Sequence, residues 1–410
     1  MDSKYLKELE PGFSPLTICE EASRCLLCHD APCSQSCPAG TDPGKFIRSV
    51  RFRNFKGAAE TIRENNILGG ICARVCPTEK YCQLACSRCG IDKPIDIGRI
   101  QRYVTDMEDA LDMKILEKPT EKKGKSVAVI GAGPGGLSVA GGLLLKGYDV
   151  EIFEKNDKLG GYLRYGIPEY RLPTHVVDKE IQRILDLGLV VHTGVTVGKD
   201  ISMDELKQKF DAVVVGIGLS GGKWLPMFEG NPDVETAVSF LRRVKEAKGQ
   251  VEIPDNVLVV GGGDVSMDTC TTLKLLGAKN VTAIVYEEYC EFKASQKELA
   301  GAREQNVSIY DGYIPTKVEG KTVTFQHRKI GSEITYTADK IILAVGQTLE
   351  ADGLGLDFTR GEADSQNFRV GNSNVFVVGD ISKNEEKSVV GAVKSAKFAT
   401  AYIDAYLGGK

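Results

Sequence analysis

The chain has almost no excess charge of either sign. Lys and Arg number 52 against 56 Asp and Glu, a formal net charge of −4 over 410 residues. Nothing in that balance asks for a nucleic-acid backbone or an anionic membrane as partner. The opening MDSKYLKELE is charged and lacks the apolar core of a secretory signal. Residues 126–145 carry no charge, but the glycines and Pro134 in that stretch fit a nucleotide-binding turn better than a membrane span. A cytoplasmic protein without a membrane partner is expected. Cysteine is nearly absent beyond residue 90, where only Cys270 and Cys290 remain of twelve. No CxxC pair follows Gly161, so a reactive dithiol is not expected in the body of the protein, and Cys270 reads as a buried small apolar residue. At 42% apolar and 26% charged residues, the composition is that of a globular chain of two or three domains.

What is present begins with SVAVIGAGPGGLSVAGGLLLKGYDVEIFE, residues 126–154. A short apolar strand runs into a glycine turn, a helix-like segment and a second apolar strand, the pattern of a dinucleotide-binding βαβ unit. Gly131 permits the tight turn, bare Gly133 lets the backbone approach a pyrophosphate, and Gly136 lets helix and strand pack closely. The helix start offers free N–H groups to phosphate, and Glu154, 23 residues after Gly131, can accept from a ribose diol. Gly160, Gly161 and the Gly166–Ile167–Pro168 turn put bare backbone near this site.

A second such unit follows in NVLVVGGGDVSMDTCTTLKLLGAKNVTAIVYEE. Gly261, Gly263 and Ser266 fill its small positions, and Glu287 ends its second strand. An acid there favours a free ribose 2′-hydroxyl and repels a 2′-phosphate, which points to NAD(H) over NADP(H). Ser295 and Glu298 read as a capping box for the next helix. Strands KIILAVG and NVFVVGDIS close the chain, the latter aiming Asp380 at a cofactor hydroxyl and the helix after Ser388 presenting its positive end.

The first 120 residues carry ten cysteines. CLLCHDAPCSQSCP gives Cys25, Cys28, Cys33 and Cys37; CARVCPTEKYCQLACSRC gives Cys72, Cys76, Cys82, Cys86 and Cys89. Cubane clusters take a compact run of thiolates plus a distant one, and a Cys-Pro ending typically ligates the other of two clusters. Cys37 and Cys76 both precede proline. Zinc, the competing reading, wants paired CxxC at ribbon spacing. Between the blocks Asp42 and Pro43 open a helix, and Phe55, Ala58, Ala59 and Ile62 form one apolar stripe. Arg48, Arg51, Arg53 and Lys56 read as a solvated face, and a polar linker spans 117–126.

Together GAGPGG, EK…LGG, GIPEYRLP, GIG, GGGDVSMD and AVG…VFVVGD follow the pattern of flavoprotein reductases with two dinucleotide-binding domains. The cysteine blocks and IDIGRIQRYV narrow this: nearly the whole chain resembles the glutamate synthase small subunit and dihydropyrimidine dehydrogenase group, and within it the NADH-oxidising subunits of bacterial NAD-dependent dihydropyrimidine dehydrogenases. The resemblance implies an α/β flavoprotein with Rossmann-like FAD and NAD domains behind an α-helical iron–sulfur domain. Its parts would be 1–124 with two [4Fe–4S] clusters, 125–230 as the first FAD part, 231–338 as an inserted NAD(H) domain, and 339–410 as the second FAD part. One cluster would use Cys25, Cys28, Cys33 and Cys86. The other would use Cys37, Cys76 and Cys82 with Gln101, for which Cys72 and Cys89 are rivals. FAD contacts carried over are Gly131, Gly133, Pro134, Gly136, Glu154, Lys155, Gly161, Arg171, Val197, Gly379, Asp380 and Val389. Those for NAD(H) are Gly263, Asp264, Val265, Ser266, Tyr286, Glu287, Lys293 and Gly346. NADPH-using relatives carry arginine where this chain has Tyr286.

The implied activity is oxidation of NADH at FAD, with electrons leaving through the clusters to an FMN-containing partner subunit that reduces uracil or thymine in pyrimidine catabolism. No acid–base residue is expected to be essential. No segment has the length of an FMN-binding barrel, so this chain alone should not reduce a pyrimidine. The alternatives are a glutamate synthase small subunit, a ferredoxin/NAD(P) reductase, and a zinc-bearing interaction protein.

Overall fold

The computed structural model describes residues 4–408. The cysteine-rich region is helical: α1 (Thr17–Ser23), α2 (Pro43–Arg51), α3 (Phe55–Asn65), α4 (Gly69–Val75) and α5 (Ile97–Ala110). Asp42 caps α2, its Oδ1 accepting the Lys45 N–H at 3.0 Å, and Asn54 caps α3 in the same way at 2.9 Å. The expected stripe of α3 is buried through Ala58, Ala59 and Ile62. It packs with Phe46, Ile47 and Val50 of α2 and with Ile100 and Val104 of α5 in a core that takes in Cys82. Arg48, Arg51, Arg53 and Lys56 are exposed, as expected.

The α/β part follows as β1 (Ser126–Ile130), α6 (Pro134–Leu145), β2 (Asp149–Glu154), α7 (Thr174–Asp186), β3 (Val190–Thr193) and β4 (Ala212–Val215). Then come β5 (Val234–Thr236), β6 (Asn256–Val260), α8 (Asp264–Leu275), β7 (Asn280–Ile284), α9 (Gln296–Glu304) and β8 (Ser308–Tyr310). Strands β9 (Tyr313–Glu319), β10 (Thr322–His327) and β11 (Glu333–Thr337) precede β12 (Lys340–Leu343), β13 (Val375–Val377) and α10 (Val389–Tyr406). Two parallel sheets result, ordered β13-β4-β1-β2-β3 and β5-β12-β6-β7-β8, beside an antiparallel β9-β10-β11 sheet. Both faces of β1 and β6 are covered, which is why these strands read as continuous apolar runs rather than alternating ones.

The chain divides into two compact units. The second consists of residues 4–9, 165–173 and 220–350; the first holds the remainder, so the cysteine-rich helices and the first sheet belong to one unit. This corrects the boundary expected at 338/339. Lys340–Leu343 pairs with both β5 and β6 in the second sheet, and the second unit runs on to Glu350. A buried Ile-Ile-Leu strand has the same hydropathy in either sheet, so its pattern could not say which one it joins.

Candidate functional site: two nucleotide turns and a cysteine cradle

In the first unit the glycine turn has the geometry its motif demands. Gly131 adopts φ +93°, and a Cβ there would sit 2.8 Å from the Gly216 carbonyl oxygen. A Cβ on Gly136 would lie 1.9 Å from the Gly131 oxygen, whereas one on Gly133 would meet nothing within 4 Å. Gly133 therefore faces open space, as a backbone that receives a pyrophosphate must. Pro134 occupies the first turn of α6.

Other expected contacts gather on this turn. A Cβ on Gly161 would meet Gly133 Cα at 2.7 Å, and Gly135 lies against Gly379, a Cβ there falling 3.3 Å from its Cα. Glu154 is buried; its Oε2 accepts the Ala132 N–H at 2.7 Å, and its Oε1 accepts the Asn156 N–H at 2.9 Å and the Asn156 Nδ2 at 2.6 Å. A carboxylate has about four acceptor positions, so one remains, on Oε2, for a ribose hydroxyl. Val195 N–H donates to Glu154 O, which brings the loop bearing Val197 to the same place, and Lys155 is exposed. Asp380 lies in a short helical turn after β13; burial pushes its carboxyl up to about 6, with Lys387 acting against this. Val389 opens α10, where Ser388 Oγ accepts the Gly391 N–H at 3.1 Å.

Arg171 is the remaining residue of the FAD set. It belongs to the second unit, where its Nη1 lies 2.6 Å from Asp268 Oδ2 and its Nε 2.8 Å from Glu298 Oε1. The buried Asp268 and the half-buried Glu298 thus hold the guanidinium. That corrects the capping box. Ser295 Oγ accepts Glu298 N–H, but the Glu298 side chain goes to Arg171, and the Ser295 N–H donates instead to Asp264 Oδ1 at 2.6 Å.

In the second unit Gly261 has φ +140°, and a Cβ there would lie 2.2 Å from the Ala344 oxygen; Gly263 again faces open space. Ser266, at the position of the third glycine, donates its hydroxyl to Gly261 O at 2.7 Å, turning a steric conflict into a hydrogen bond. Val265 is half-buried on the same turn. Gly346, φ +119°, lies two residues beyond Ala344. Ala294 N–H donates to Gly262 O, so Lys293 stands beside the turn, its Nζ 2.7 Å from Glu287 Oε1. Tyr286 next to it is 54% exposed.

The cysteines fall into two groups. Cys25, Cys28, Cys33 and Cys86 line one cavity with Leu26, Pro32 and Ile47. Cys37, Cys72, Cys76 and Cys82 form the other: burial raises the thiol pKa values of Cys72, Cys76 and Cys82, and the nearness of Cys37 adds to each. Burial pushes Cys33 up to about 11 and Cys82 to about 12, so positive charge from iron is what would hold these sulfurs as thiolates. Among the described residues no three His, Cys, Asp or Glu lie close enough to share one ion; the thiols are gathered more loosely. Gln101 is buried on α5 and donates Nε2 to Gly69 O, at the start of the cysteine-bearing α4, at 2.8 Å. Cys89 is exposed, against the Gln83 carbonyl. Cys270 is buried within α8, as expected.

Motif reading passed over one feature. Arg63, fully buried, pairs with Glu108 at 2.8 Å and Glu180 at 2.5 Å, and Glu180 also accepts the Gly70 N–H at 3.0 Å. The network ties α3, α4 and α5 to α7. A lone arginine beside an apolar stripe was its only trace in the sequence.

Strands, turns and cysteine grouping define a nicotinamide- and flavin-dependent oxidoreductase with an iron–sulfur front. The chain matches the family of pyridine nucleotide-disulphide oxidoreductases over residues 125–396, and the 4Fe-4S domain II of dihydropyrimidine dehydrogenase over residues 2–113. It is 54% identical over 406 residues to the NAD-dependent dihydropyrimidine dehydrogenase subunit PreT of Escherichia coli O157:H7, covering 99% of this chain and 98% of that one. The chain therefore belongs to the family of NAD-dependent dihydropyrimidine dehydrogenase PreT subunits. It is also 28% identical to the glutamate synthase [NADPH] small chain of Azospirillum brasilense, covering 98% of this chain and 92% of the other. Mycobacterium tuberculosis FprA in complex with NADPH superposes with a TM-score of 0.60 at 15% identity, covering 69% of this chain and 85% of that one, which speaks for the fold. FAD, NAD(H) and [4Fe–4S] clusters are the cofactors of this class. No helix among the described residues is long and apolar enough to cross a membrane.

Proposed function

We propose that the chain oxidises NADH and delivers its electrons, through two [4Fe–4S] clusters, to an FMN-containing partner subunit that reduces uracil or thymine to the 5,6-dihydropyrimidine. The observation that carries this reading is the placement of the cysteine cradle in the same compact unit as the first nucleotide turn. When bound, FAD accepts hydride from NADH and the clusters accept single electrons. The protein's own residues bind and orient. Gly131, Gly133 and the start of α6 receive the flavin pyrophosphate, Glu154 accepts from its ribose, and the half-buried Asp380 is the partner of a further flavin hydroxyl. Gly263, Val265 and the start of α8 receive the NADH pyrophosphate, and Glu287 accepts from the adenosine ribose. The carboxylate at Glu287 and Tyr286 in place of a cation disfavour a 2′-phosphate.

Cys25, Cys28, Cys33 and Cys86 would hold one cluster, and Cys37, Cys76 and Cys82 the other. With Nε2 of Gln101 donated to Gly69, its Oε1 is the atom available as fourth ligand, and Cys72 is the competitor from the same group. Gln101→Ala should lose the signature of one cluster while Cys72→Ser keeps both; the reverse outcome assigns Cys72.

The decisive test mixes the purified chain with its FMN-containing partner and follows NADH oxidation with and without uracil. Turnover that needs both proteins and uracil, at far lower NADH than NADPH, with about eight irons in this chain, is expected. NADPH preference and glutamate formation with a different partner would move the chain to the glutamate synthase reading.

A further inference from the structure

Glu287 and the glycine turn were expected at the second nucleotide site, but a third element reaches it. The antiparallel β9-β10-β11 sheet ends its central strand at His327, and the next residue, Arg328, returns to the end of β7. Its backbone N–H donates to Gly312 O at 2.8 Å. Its Nη1 donates to the Tyr286 carbonyl at 2.9 Å, and its guanidinium carbon lies 3.9 Å from the centroid of the Tyr286 ring. The surrounding acids have closer cations: Lys293 is 2.7 Å from Glu287 and Lys329 is 2.6 Å from Glu288. The nearest carboxylate oxygen to Arg328, on Glu291, is 3.9 Å away. The arginine therefore has its face on an aromatic ring rather than its edge on an acid.

Tyr286 immediately precedes the ribose-binding acid and is 54% exposed. A large aromatic standing in solvent normally samples several rotamers; this one has its peptide and its ring both gripped by one guanidinium. Stacking a base on an aromatic carries the cost of ordering that side chain, so ordering it in advance tightens binding.

Resting on the reading of NADH as the nucleotide of this unit, we propose that Tyr286 and Arg328 form the adenine platform of the site: the base stacks on the open face of Tyr286, and Arg328 is the positioning residue that fixes that face. Arg328 thus sets nucleotide affinity without touching the nicotinamide end.

The test uses the flavin- and cluster-loaded full chain. Binding of ADP-ribose is measured calorimetrically, and flavin reduction by NADH, by NADPH and by reduced nicotinamide mononucleotide, which lacks the adenosine, is measured by stopped flow. Arg328→Ala and Tyr286→Ala are each expected to raise the ADP-ribose Kd and the NADH KM about tenfold, the scale of one lost stacking or cation–π contact. The limiting rate should not change, and reduction by the mononucleotide should stay as in the parent. The double variant should be no weaker than the worse single one, because the two side chains act as a pair, and Arg328→Lys should fall between parent and alanine. A Kd within twofold of the parent for Arg328→Ala, strictly additive losses, or an equal loss with the mononucleotide would overturn the proposal. So would a loss confined to NADPH, which would make Arg328 a phosphate cation instead. If the parent itself bound no ADP-ribose, the NADH reading beneath the proposal would fall with it.

Discussion

Replacing Glu180 by alanine tests whether the helical cluster region and the first sheet are one mechanical body. Glu180 is buried, with Arg63 at 2.5 Å, Arg183 at 2.7 Å and the Gly70 N–H at 3.0 Å. Burial alone would raise its carboxyl pKa, but Arg63, followed by Arg183, holds it below the ordinary value. Removing one member of a buried pair costs about 3–5 kcal/mol. Arg63 keeps its contacts to Glu108 through Nε and Nη2, so the lower end applies, about 3 kcal/mol. At about 2 °C per kcal/mol for a domain of this size, the first transition of the loaded protein should fall by about 6 °C. Glu180→Gln, which keeps an acceptor for Gly70, should lose about half of that. Because Gly70 lies in the first turn of α4 and Cys76 directly follows that helix, iron should leave the second cysteine group before the first under mild denaturant. The sign with pH follows from the depressed carboxyl: its contribution is in place above 4.5 and is lost as pH falls through the lower folded-state value, so parent and variant should converge in acid. A loss under about 1 kcal/mol, or equal loss at pH 3 and pH 7, would refute the argument.

Three further outcomes are expected. Cys86→Ser should reduce iron from about eight to about four per chain and leave flavin reduction by NADH intact, measured by iron assay and stopped flow. Gly136→Ala would place a methyl 1.9 Å from the Gly131 oxygen, so the chain should purify without flavin absorbance while its iron is retained. Asp380 has its carboxyl raised from 3.8 to about 6, so protonation favours the fold. Flavin-stripped protein should be most stable below 3.8 at this group, and that contribution should be lost as pH rises through about 6, by about 3 kcal/mol. Asp380→Asn should flatten the dependence between pH 3.8 and about pH 6 in urea titrations.

Much of this arrangement was legible because glycine turns, caps and cysteine spacing act locally. Gly131, Gly136 and Gly261 are forced by contacts within a few residues or by a neighbouring strand end, and Asp42 and Ser388 cap the helices they precede. What escaped was set by pairing across long separations. The strand Lys340–Leu343 gave no sign of which parallel sheet it joins. Glu298 reads as a cap until Arg171, distant in sequence, draws its carboxylate away. Arg328 lies 42 residues from the tyrosine carbonyl it binds, on a sheet outside the nucleotide fingerprint. Charged side chains with two possible partners are decided by tertiary structure.

The second unit is assembled from pieces far apart in the chain, and its smallest piece comes first. Tyr5 is 1% exposed in the core of that unit, its ring 6.0 Å from Tyr170 and edge-on to it, and the Leu9 N–H donates to Tyr170 O at 3.1 Å. During synthesis this tyrosine must wait for more than three hundred residues before the last strand of its unit, Lys340–Leu343, emerges. Such delayed closure makes for slow maturation. A clone trimmed to start at the cysteine block would look tidy on paper. It would remove an aromatic plug from a nucleotide-binding body whose motifs begin two hundred and fifty positions later, and the damage would show as lost NADH response in a protein whose iron content looked normal.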